Sequence, residues 1–198
     1  KNEDQDDLFK MSLKIIDGYN ENEVSIIPKL NNNQGFFERP FFLLFFNLIH
    51  RANFMQELLK TFPVVAKLPV IWGDMDSFQH VNNAIYFRYF ESARIQYFEA
   101  LGWMDSVEQL AIGPILGSTS CRYRIPLTYP DTVYAGAKIT EMHEKRFTME
   151  YLIVSEQHPE TVAEGTGVVI CYNYQKKQTT QIPAVIHHAI EKLEGREF

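Results

Sequence analysis

The sequence predicts an α+β domain in which one long apolar helix is wrapped by an antiparallel sheet of about five strands, preceded by an N-terminal extension. Three observations predict this fold class. Five stretches resemble β-strands, short polar turns join the later ones, and one helical stretch has apolar residues on too wide a face for a surface helix. A sheet that curls around that helix would bury it. The chain has 198 residues, 45% of them apolar, which suffices for one core and an extension.

The composition changes near residue 55, so we assign residues 1–54 to an extension and residues 55–198 to the domain. The extension contains an asparagine-rich stretch typical of a linker, Leu30–Gly35, and then a helical pattern over Phe41–Leu59 with a very apolar first half. We expect that helix to pack on the domain or on a partner subunit. The alternatives are a helix lying on a membrane surface and a poorly ordered segment.

Charge and cysteine content narrow the class of function. The net charge of −6 disfavours a nucleic-acid-binding protein, which would need an excess of basic residues. Cys121 and Cys171 are too few for a disulfide framework and fit a reducing compartment. The longest apolar run has nine residues, whereas a membrane-spanning helix takes about 20, and no signal or transit peptide pattern is visible. We therefore expect a cytoplasmic protein without an integral membrane segment.

The first strand is predicted over Val64–Trp72, where apolar side chains recur at period two. Pro69 lacks a backbone N–H, so this strand should lie at an edge of the sheet or contain a bulge. A loop of turn and cap residues follows, and then a helix begins. Its N-cap is predicted at Asn82 or Asn83.

The helix is predicted to continue to about Leu101, where Gly102 favours a left-handed stop. One stripe of apolar residues recurs at spacings of three and four, as in an amphipathic helix. Its members are Tyr86, Phe90, Ala93, Tyr97 and Leu101. Further aromatic residues widen this surface, so we expect the helix to be surrounded by protein.

Four more strands and a terminal helix complete the domain. The strands are predicted at Gly113–Tyr123, Thr132–His143, Phe147–Ser155 and Thr161–Tyr174. Short polar turns join the last three, which favours antiparallel hairpins. The terminal helix is predicted from Pro183 to Leu193, with the proline near its first position and Gly195 as its stop.

Two acidic residues, Asp74 and Asp76, lie between the first strand and the long helix. A carboxylate can attack as a nucleophile or activate water, and a helix start offers unpaired N–H groups and a positive dipole end. A thioester suits such a site because its carbonyl is electrophilic and its thiolate leaves readily. Judged by residue type alone, an aspartate before a helix is more often a cap or turn residue, so both interpretations stay open at this point.

Residues 70–94, V-I-W-G-D-M-D-S-F-Q-H-V-N-N-A-I-Y-F-R-Y-F-E-S-A-R, resemble the opening of hotdog-fold acyl-CoA thioesterases of the 4-hydroxybenzoyl-CoA thioesterase type. S-C-R-Y-R-I-P-L-T-Y-P-D-T-V at 120–133 and K-R-F at 145–147 resemble later parts of the same enzymes. The resemblance covers roughly residues 62–175. It implies the hotdog fold and hydrolysis of an acyl-CoA to a free carboxylic acid and coenzyme A, which is part of the substrate; no separate cofactor is expected.

The resemblance also assigns roles to residues of the loop and the helix start. Asp76 would be the nucleophile or general base, and the backbone N–H groups near Asn82 and Asn83 would polarise the thioester carbonyl. Asp74 would be a supporting carboxylate. His80 would orient Asp76 or contact the thioester, the alternative being a hydrogen-bonded turn residue.

Four basic residues are candidates for binding the phosphates of coenzyme A. Lys145 and Arg146 form the first candidate pair, and Arg122 and Arg124, which would share one face of their strand, form the second. A solvated hairpin is the alternative interpretation of Lys145 and Arg146.

Two residues of the loop and one of the helix bear on the shape and chemistry of the predicted site. Many relatives have glycine where this chain has Gln79, and the bulky Phe78 beside it is expected to narrow or reshape the acyl pocket. Glu91 is flanked at three residues by Arg88 and Arg94, which favours an ion pair within the helix or between subunits. In other hotdog thioesterases a glutamate of this helix is catalytic, which is the alternative.

Members of this family form homodimers through a continuous intersubunit sheet, often paired into tetramers, with active sites at the interface. We expect the same here. A second hypothesis is a non-catalytic hotdog protein that binds acyl-CoA or acyl carrier protein. A hotdog hydratase is disfavoured because the helix contains no histidine after His80. The histidines show no metal-ligand spacing, so no metal site is predicted.

Overall fold

The computed structural model describes residues 51–104, 107, 111–158 and 160–198. The asparagine-rich linker and the apolar first half of the predicted Phe41–Leu59 helix lie outside these ranges. Residues 51–59, its second half, are helical and are named α1. The domain boundary near residue 55 stays a prediction. In the described part of the chain, no helix combines the length and the apolar character needed to cross a membrane.

The two other long helices end where the sequence predicts. Helix α2 spans Asn83–Ala100 and is followed by Gly102 in the left-handed conformation (φ 65°). Helix α3 spans Ala184–Glu194, and its C-cap, Gly195, is also left-handed (φ 68°). Glycine adopts this conformation without steric cost, and so both helices stop at these positions.

One antiparallel sheet holds all the strands of the described residues. They are β1 (Val64–Val70), β2 (Ile112–Tyr123), β3 (Asp131–Met142), β4 (Arg146–Ser155), β5 (Ala163–Asn173) and the short β6 (Gln178–Thr179). The order is β1-β3-β4-β5-β2, and β6 pairs with β5. The five predicted strands are confirmed, with ends shifted by at most two residues. Strand β1 lies at an edge, as Pro69 predicts, whereas β6 was not predicted.

Helix α2 lies against the sheet and packs on β1 and β3. Its predicted stripe is buried throughout, which confirms that protein surrounds this face. The ring of Phe90 stacks on Tyr151 of β4, with centroids 4.8 Å apart. A long helix wrapped by a curled antiparallel sheet in this strand order is the hotdog fold.

Strand β5 has a glycine, Gly165, where the Phe90 side chain of α2 contacts it. A Cβ atom at Gly165 would lie 2.5 Å from Cε2 of Phe90 and closer still to the carbonyl oxygen of Ser120 in β2. The missing side chain therefore lets the Phe90 ring lie directly on the backbone of β5, and it lets β2 pair closely beside it.

The end of α3 is anchored to β3 at an irregularity in the β3–β4 pairing, just after Ile139. The backbone N–H of Ile139 and the hydroxyl of Tyr97 both donate to Oε1 of Glu194, each at 2.7 Å. Arg196 donates to the carbonyl oxygens of Ile139 and Thr140. Burial, and then the Glu194 carboxylate, raise the pKa of Tyr97. The irregularity is a β-bulge, and the Glu194 and Arg196 side chains thus bind the backbone groups of Ile139 and Thr140 that the bulge removes from strand pairing.

Candidate active site

The loop between β1 and α2 is a tight hairpin. Met75 pairs with Val81 as an isolated antiparallel bridge. Inside this bridge the N–H of Asp76 donates to the His80 carbonyl at 2.8 Å, and the N–H of Gln79 donates to the Asp76 carbonyl at 3.0 Å. These backbone bonds fix Asp76 at the base of the hairpin tip.

The carboxylate of Asp76 is partly buried. Its Oδ1 atom accepts a hydrogen bond from the backbone N–H of Phe78 at 2.8 Å. No other described residue donates to this carboxylate, so Oδ2 is left for a substrate or a water molecule. A carboxylate that is oriented through one oxygen and open at the other suits a nucleophile or a base.

The start of α2 leaves one backbone N–H open. Asn82 is the N-cap: its side-chain oxygen accepts from the Ala84 N–H at 2.9 Å, and its carbonyl accepts from the Ile85 N–H at 2.9 Å. The N–H of Asn82 itself donates to the Asp74 carbonyl at 2.8 Å, so it is not available to an incoming carbonyl. The N–H of Asn83 has no acceptor among the described residues, which narrows the predicted pair of donors to Asn83.

Asp76 and Asn83 line the same cleft, whose volume is about 290 Å³. The other lining residues are Val81, Tyr86, Tyr123, Arg124, Ile125 and Pro126. Two hydrogen bonds join its walls: Val81 N–H donates to the Leu127 carbonyl at 2.8 Å, and Leu127 N–H donates to the Tyr86 hydroxyl at 3.2 Å. A residue with a carboxylate and a residue with an open helix N–H therefore line one cleft with fixed walls.

Two tyrosines of this cleft were not among the predicted site residues. Their rings, Tyr86 and Tyr123, meet edge to face with centroids 5.0 Å apart, and the Tyr123 hydroxyl donates to the Asn83 carbonyl at 3.2 Å. Burial raises the pKa of both hydroxyls, so both stay protonated at neutral pH. In the sequence, Tyr86 belongs to the core stripe and Tyr123 ends a strand; only the fold brings them to one place.

Asp74 holds the loop against α2. Its Oδ2 atom accepts from the Tyr89 hydroxyl at 3.3 Å and from the Ile71 N–H at 3.4 Å. Burial, together with the nearby Asp74 carboxylate, raises the pKa of Tyr89. These contacts tie Asp74 to α2 and to the start of the loop, and its supporting role stays a prediction. The side chain of His80 is exposed, and its backbone carbonyl is what contacts Asp76.

The four basic candidates occupy two separate places. Arg122 and Arg124 both approach Oε1 of Glu164, at 3.9 and 2.6 Å, so they share a face as predicted. Glu164 offsets part of their charge, and Arg124 also lines the cleft. Lys145 and Arg146 are exposed at the turn between β3 and β4.

Within one chain, the Arg122–Arg124 group and the Lys145–Arg146 group lie beside opposite ends of β5. Glu164 pairs with Arg122 near the start of β5, whereas Ile170 pairs with Arg146 towards its end. At about 3.3 Å per residue the two positions are separated by about 20 Å along the strand. A single chain therefore does not bring all four basic residues to the cleft.

Within one chain, Phe78 and Glu91 do not make the contacts that the sequence predicts. Phe78 is 80% exposed and does not line the cleft, so it does not narrow the pocket there. Glu91 is exposed and forms no ion pair with Arg88 or Arg94 in the described part of the chain. Arg94 is buried and donates to the Tyr151 hydroxyl at 3.2 Å. The predicted intrahelical pair is absent, and an intersubunit pair stays a prediction.

The thiols and the metal-binding side chains offer no second reactive centre among the described residues. Burial raises the pKa of Cys171 to about 11 and also raises that of Cys121. Both thiols are therefore protonated at neutral pH, which disfavours a nucleophilic role. No three His, Cys, Asp or Glu residues in the described ranges come together as metal ligands would.

The sequence profile of the thioesterase-like superfamily matches residues 70–190, which contain the hairpin, α2 and strands β2 to β6. The chain belongs to the thioesterase-like superfamily.

Several known proteins are similar to the chain in sequence or in fold. The long-chain acyl-CoA thioesterase FadM of Escherichia coli is 20% identical over 122 residues, 60% of this chain and 90% of that protein. The PA2801 protein of Pseudomonas aeruginosa is 32% identical with a TM-score of 0.59, covering 65% of this chain and 98% of that one. A Thermus thermophilus thioesterase complexed with coenzyme A and Zn is 28% identical, with a TM-score of 0.60 and coverage of 70% and 98%. The 4-hydroxybenzoyl-CoA thioesterase type stays a prediction.

This thioesterase-like chain has Gln79 in a backbone conformation that favours glycine. Its φ angle is 65°, in the left-handed region, where a residue with a Cβ atom costs about 1–2 kcal/mol. A glycine at this position, which the resemblance to hotdog thioesterases leads us to expect, would therefore have a conformational reason. The same turn forms here, at some cost to stability.

Replacing Gln79 with glycine is expected to raise the free energy of unfolding by about 0.5–1 kcal/mol, because relief of the left-handed strain exceeds the greater entropy of glycine in the unfolded chain. Urea denaturation measures the change. Ser77→Gly, in the same turn but without a positive φ, serves as the control and should give no gain. A loss of stability in Gln79→Gly would contradict the explanation.

Proposed function

We propose that the chain hydrolyses an acyl-CoA thioester to a carboxylic acid and coenzyme A. The observation that carries the proposal is that Asp76, whose Oδ2 atom has no donor, and Asn83, whose N–H has no acceptor among the described residues, line one cleft. The relatives support the choice of substrate, since one is named a long-chain acyl-CoA thioesterase and another was solved with coenzyme A.

The chemistry needs only these two groups, the substrate and a water molecule. Asp76 either attacks the thioester carbonyl, giving an acyl-aspartyl anhydride that water hydrolyses, or removes a proton from an attacking water. In both routes the carbonyl oxygen gains negative charge, and the Asn83 N–H at the positive end of α2 stabilises it. The C–S bond breaks, and coenzyme A leaves as a thiolate that takes up a proton. Asp74 keeps the loop in place during these steps.

A second copy of the chain would complete the substrate site. Strand β2 is an edge strand, and its large side chains Ile115 and Leu116 are 41% and 40% exposed. An edge of this kind can accept another strand. If two β2 strands paired antiparallel about their middle, the Tyr123 end of one would lie beside the Gly113 end of the other.

That pairing would move Lys145 and Arg146 of the second copy towards the cleft. Within one chain, the Gly113 end of β2 pairs with the end of β5, and that part of β5 pairs with the start of β4. The turn that holds Lys145 and Arg146 lies there. In a homodimer, this turn of the second copy would approach the Asp76 cleft, where both side chains could bind phosphates of coenzyme A. A tetramer is the further expectation from the family.

Replacing both Lys145 and Arg146 with alanine is expected to raise KM for CoA esters by roughly 10-fold, because each residue supplies a charge-assisted contact to phosphate. KM for short thioesters without the nucleotide should stay nearly unchanged. Initial-rate kinetics on both substrates measures this. The double variant Lys60→Ala and Lys192→Ala removes the same charge elsewhere and is the control. Equal effects on both substrates would exclude the phosphate contact.

Thiol release from a panel of short-chain, long-chain and aryl acyl-CoAs tests the activity itself. We expect the full chain to release coenzyme A from at least one of these esters. The other hypothesis, a non-catalytic binding module, predicts binding of acyl-CoA by calorimetry without release of thiol. That outcome would replace the proposed function.

A further inference from the structure

Three backbone groups of the first turn of α2 are held by hydrogen bonds around the open Asn83 N–H. The carbonyl of Asn82 accepts from Ile85, and the N–H of Ala84 donates to the Asn82 side chain, both at 2.9 Å. The next carbonyl, that of Asn83, accepts from the Tyr123 hydroxyl at 3.2 Å. A donor whose surroundings are this constrained is preorganised for the charge that develops on a carbonyl oxygen.

The hydrogen bond from Tyr123 comes from a different part of the chain than the other contacts of the helix start. It comes from the last residue of β2, whereas the other contacts come from the loop and from α2 itself. It therefore links the helix start to the sheet wall of the cleft. The ring is braced edge to face against Tyr86, and the hydroxyl of Tyr86 is in turn fixed by the Leu127 N–H.

Burial raises the pKa of Tyr123, which keeps its hydroxyl protonated and donating at neutral pH. The side chain is nevertheless 44% exposed, so this contact adds little to the core. A half-exposed tyrosine that orients a helix start inside a cleft is better explained by the site than by stability.

We propose that Tyr123 is a positioning residue: its hydroxyl binds the Asn83 carbonyl, in the peptide unit that follows the Asn83 N–H, and so holds Asn83 in the orientation in which that N–H meets the thioester carbonyl oxygen in the transition state. This inference rests on the proposed thioesterase function. Removing an oxyanion donor outright lowers kcat by about 10²–10³-fold. Loss of the bond that orients such a donor should lower it less, by roughly 10-fold.

The variant Tyr123→Phe tests the proposal, because it removes the hydroxyl and keeps the ring. We expect kcat for the best acyl-CoA to fall by roughly 10-fold while KM changes less than about 2-fold. The thermal midpoint should match that of the wild type. A purely structural role of the ring predicts wild-type kcat instead.

Tyr134→Phe is the matched control, because it removes a tyrosine hydroxyl bond of 2.9 Å to Glu156, which does not line the cleft. Its kcat should be unchanged. Wild-type thiol release combined with wild-type kcat in Tyr123→Phe would overturn the positioning role alone. Absence of thiol release by the wild type would overturn the proposed function, and this inference with it.

Discussion

Replacement of Asp76 by asparagine is expected to lower kcat for acyl-CoA hydrolysis by roughly 100-fold or more. An amide neither attacks a thioester nor takes a proton from water at neutral pH. The side-chain oxygen of asparagine can still accept from the Phe78 N–H, the contact that orients Asp76 in the wild type. The loop should therefore keep its shape, and the change should isolate the chemistry. Thiol release measures kcat, and circular dichroism checks the fold.

Asp74→Asn is the matched control, since it makes the same substitution two residues away. Asp74 contacts Tyr89 and Ile71 rather than the cleft, and asparagine retains an acceptor for one of these donors. We expect a smaller fall in kcat. Near-wild-type turnover in Asp76→Asn would refute the assignment, and a larger fall in Asp74→Asn would exchange the two roles.

The sequence predicted those parts of the fold that depend on local periodicity and on special backbone conformations. Period-two alternation located β1, and the apolar stripe located α2. Gly102 and Gly195 marked the helix ends because their conformation is local. Strand β6 was missed because two exposed residues, Gln178 and Thr179, contain no periodicity to detect.

The site residues that lie within one stretch of sequence could be predicted. Those that the fold brings together from distant stretches could not. Asp76 and Asn83 lie seven positions apart on the hairpin and helix start, so the motif and the capping pattern place both. The partner of the Asn82 N–H depends on how the loop folds back on Asp74, which residue types do not specify. Tyr123 joins the cleft only because β2 ends beside α2. Such contacts follow from strand order, which local patterns do not encode.

Strand order also makes Gly165 the position where a small change should have a large effect on stability. Gly165→Ala is expected to lower the free energy of unfolding by about 3 kcal/mol or to prevent folding, at or beyond the upper end for overpacked cores. The added methyl would meet Cε2 of Phe90 and the carbonyl oxygen of Ser120 at once. A side chain could rotate away, but a backbone carbonyl moves only if β2 separates from β5 and breaks the pairing of Cys121 with Gly165.

Gly73→Ala is the matched control for this prediction. A Cβ atom at Gly73 meets nothing within 4 Å, and its φ is not positive, so alanine should change stability by less than about 0.5 kcal/mol. Urea denaturation of both variants measures the difference. Comparable stability of the two would mean that the Phe90 ring does not rest on the β5 backbone.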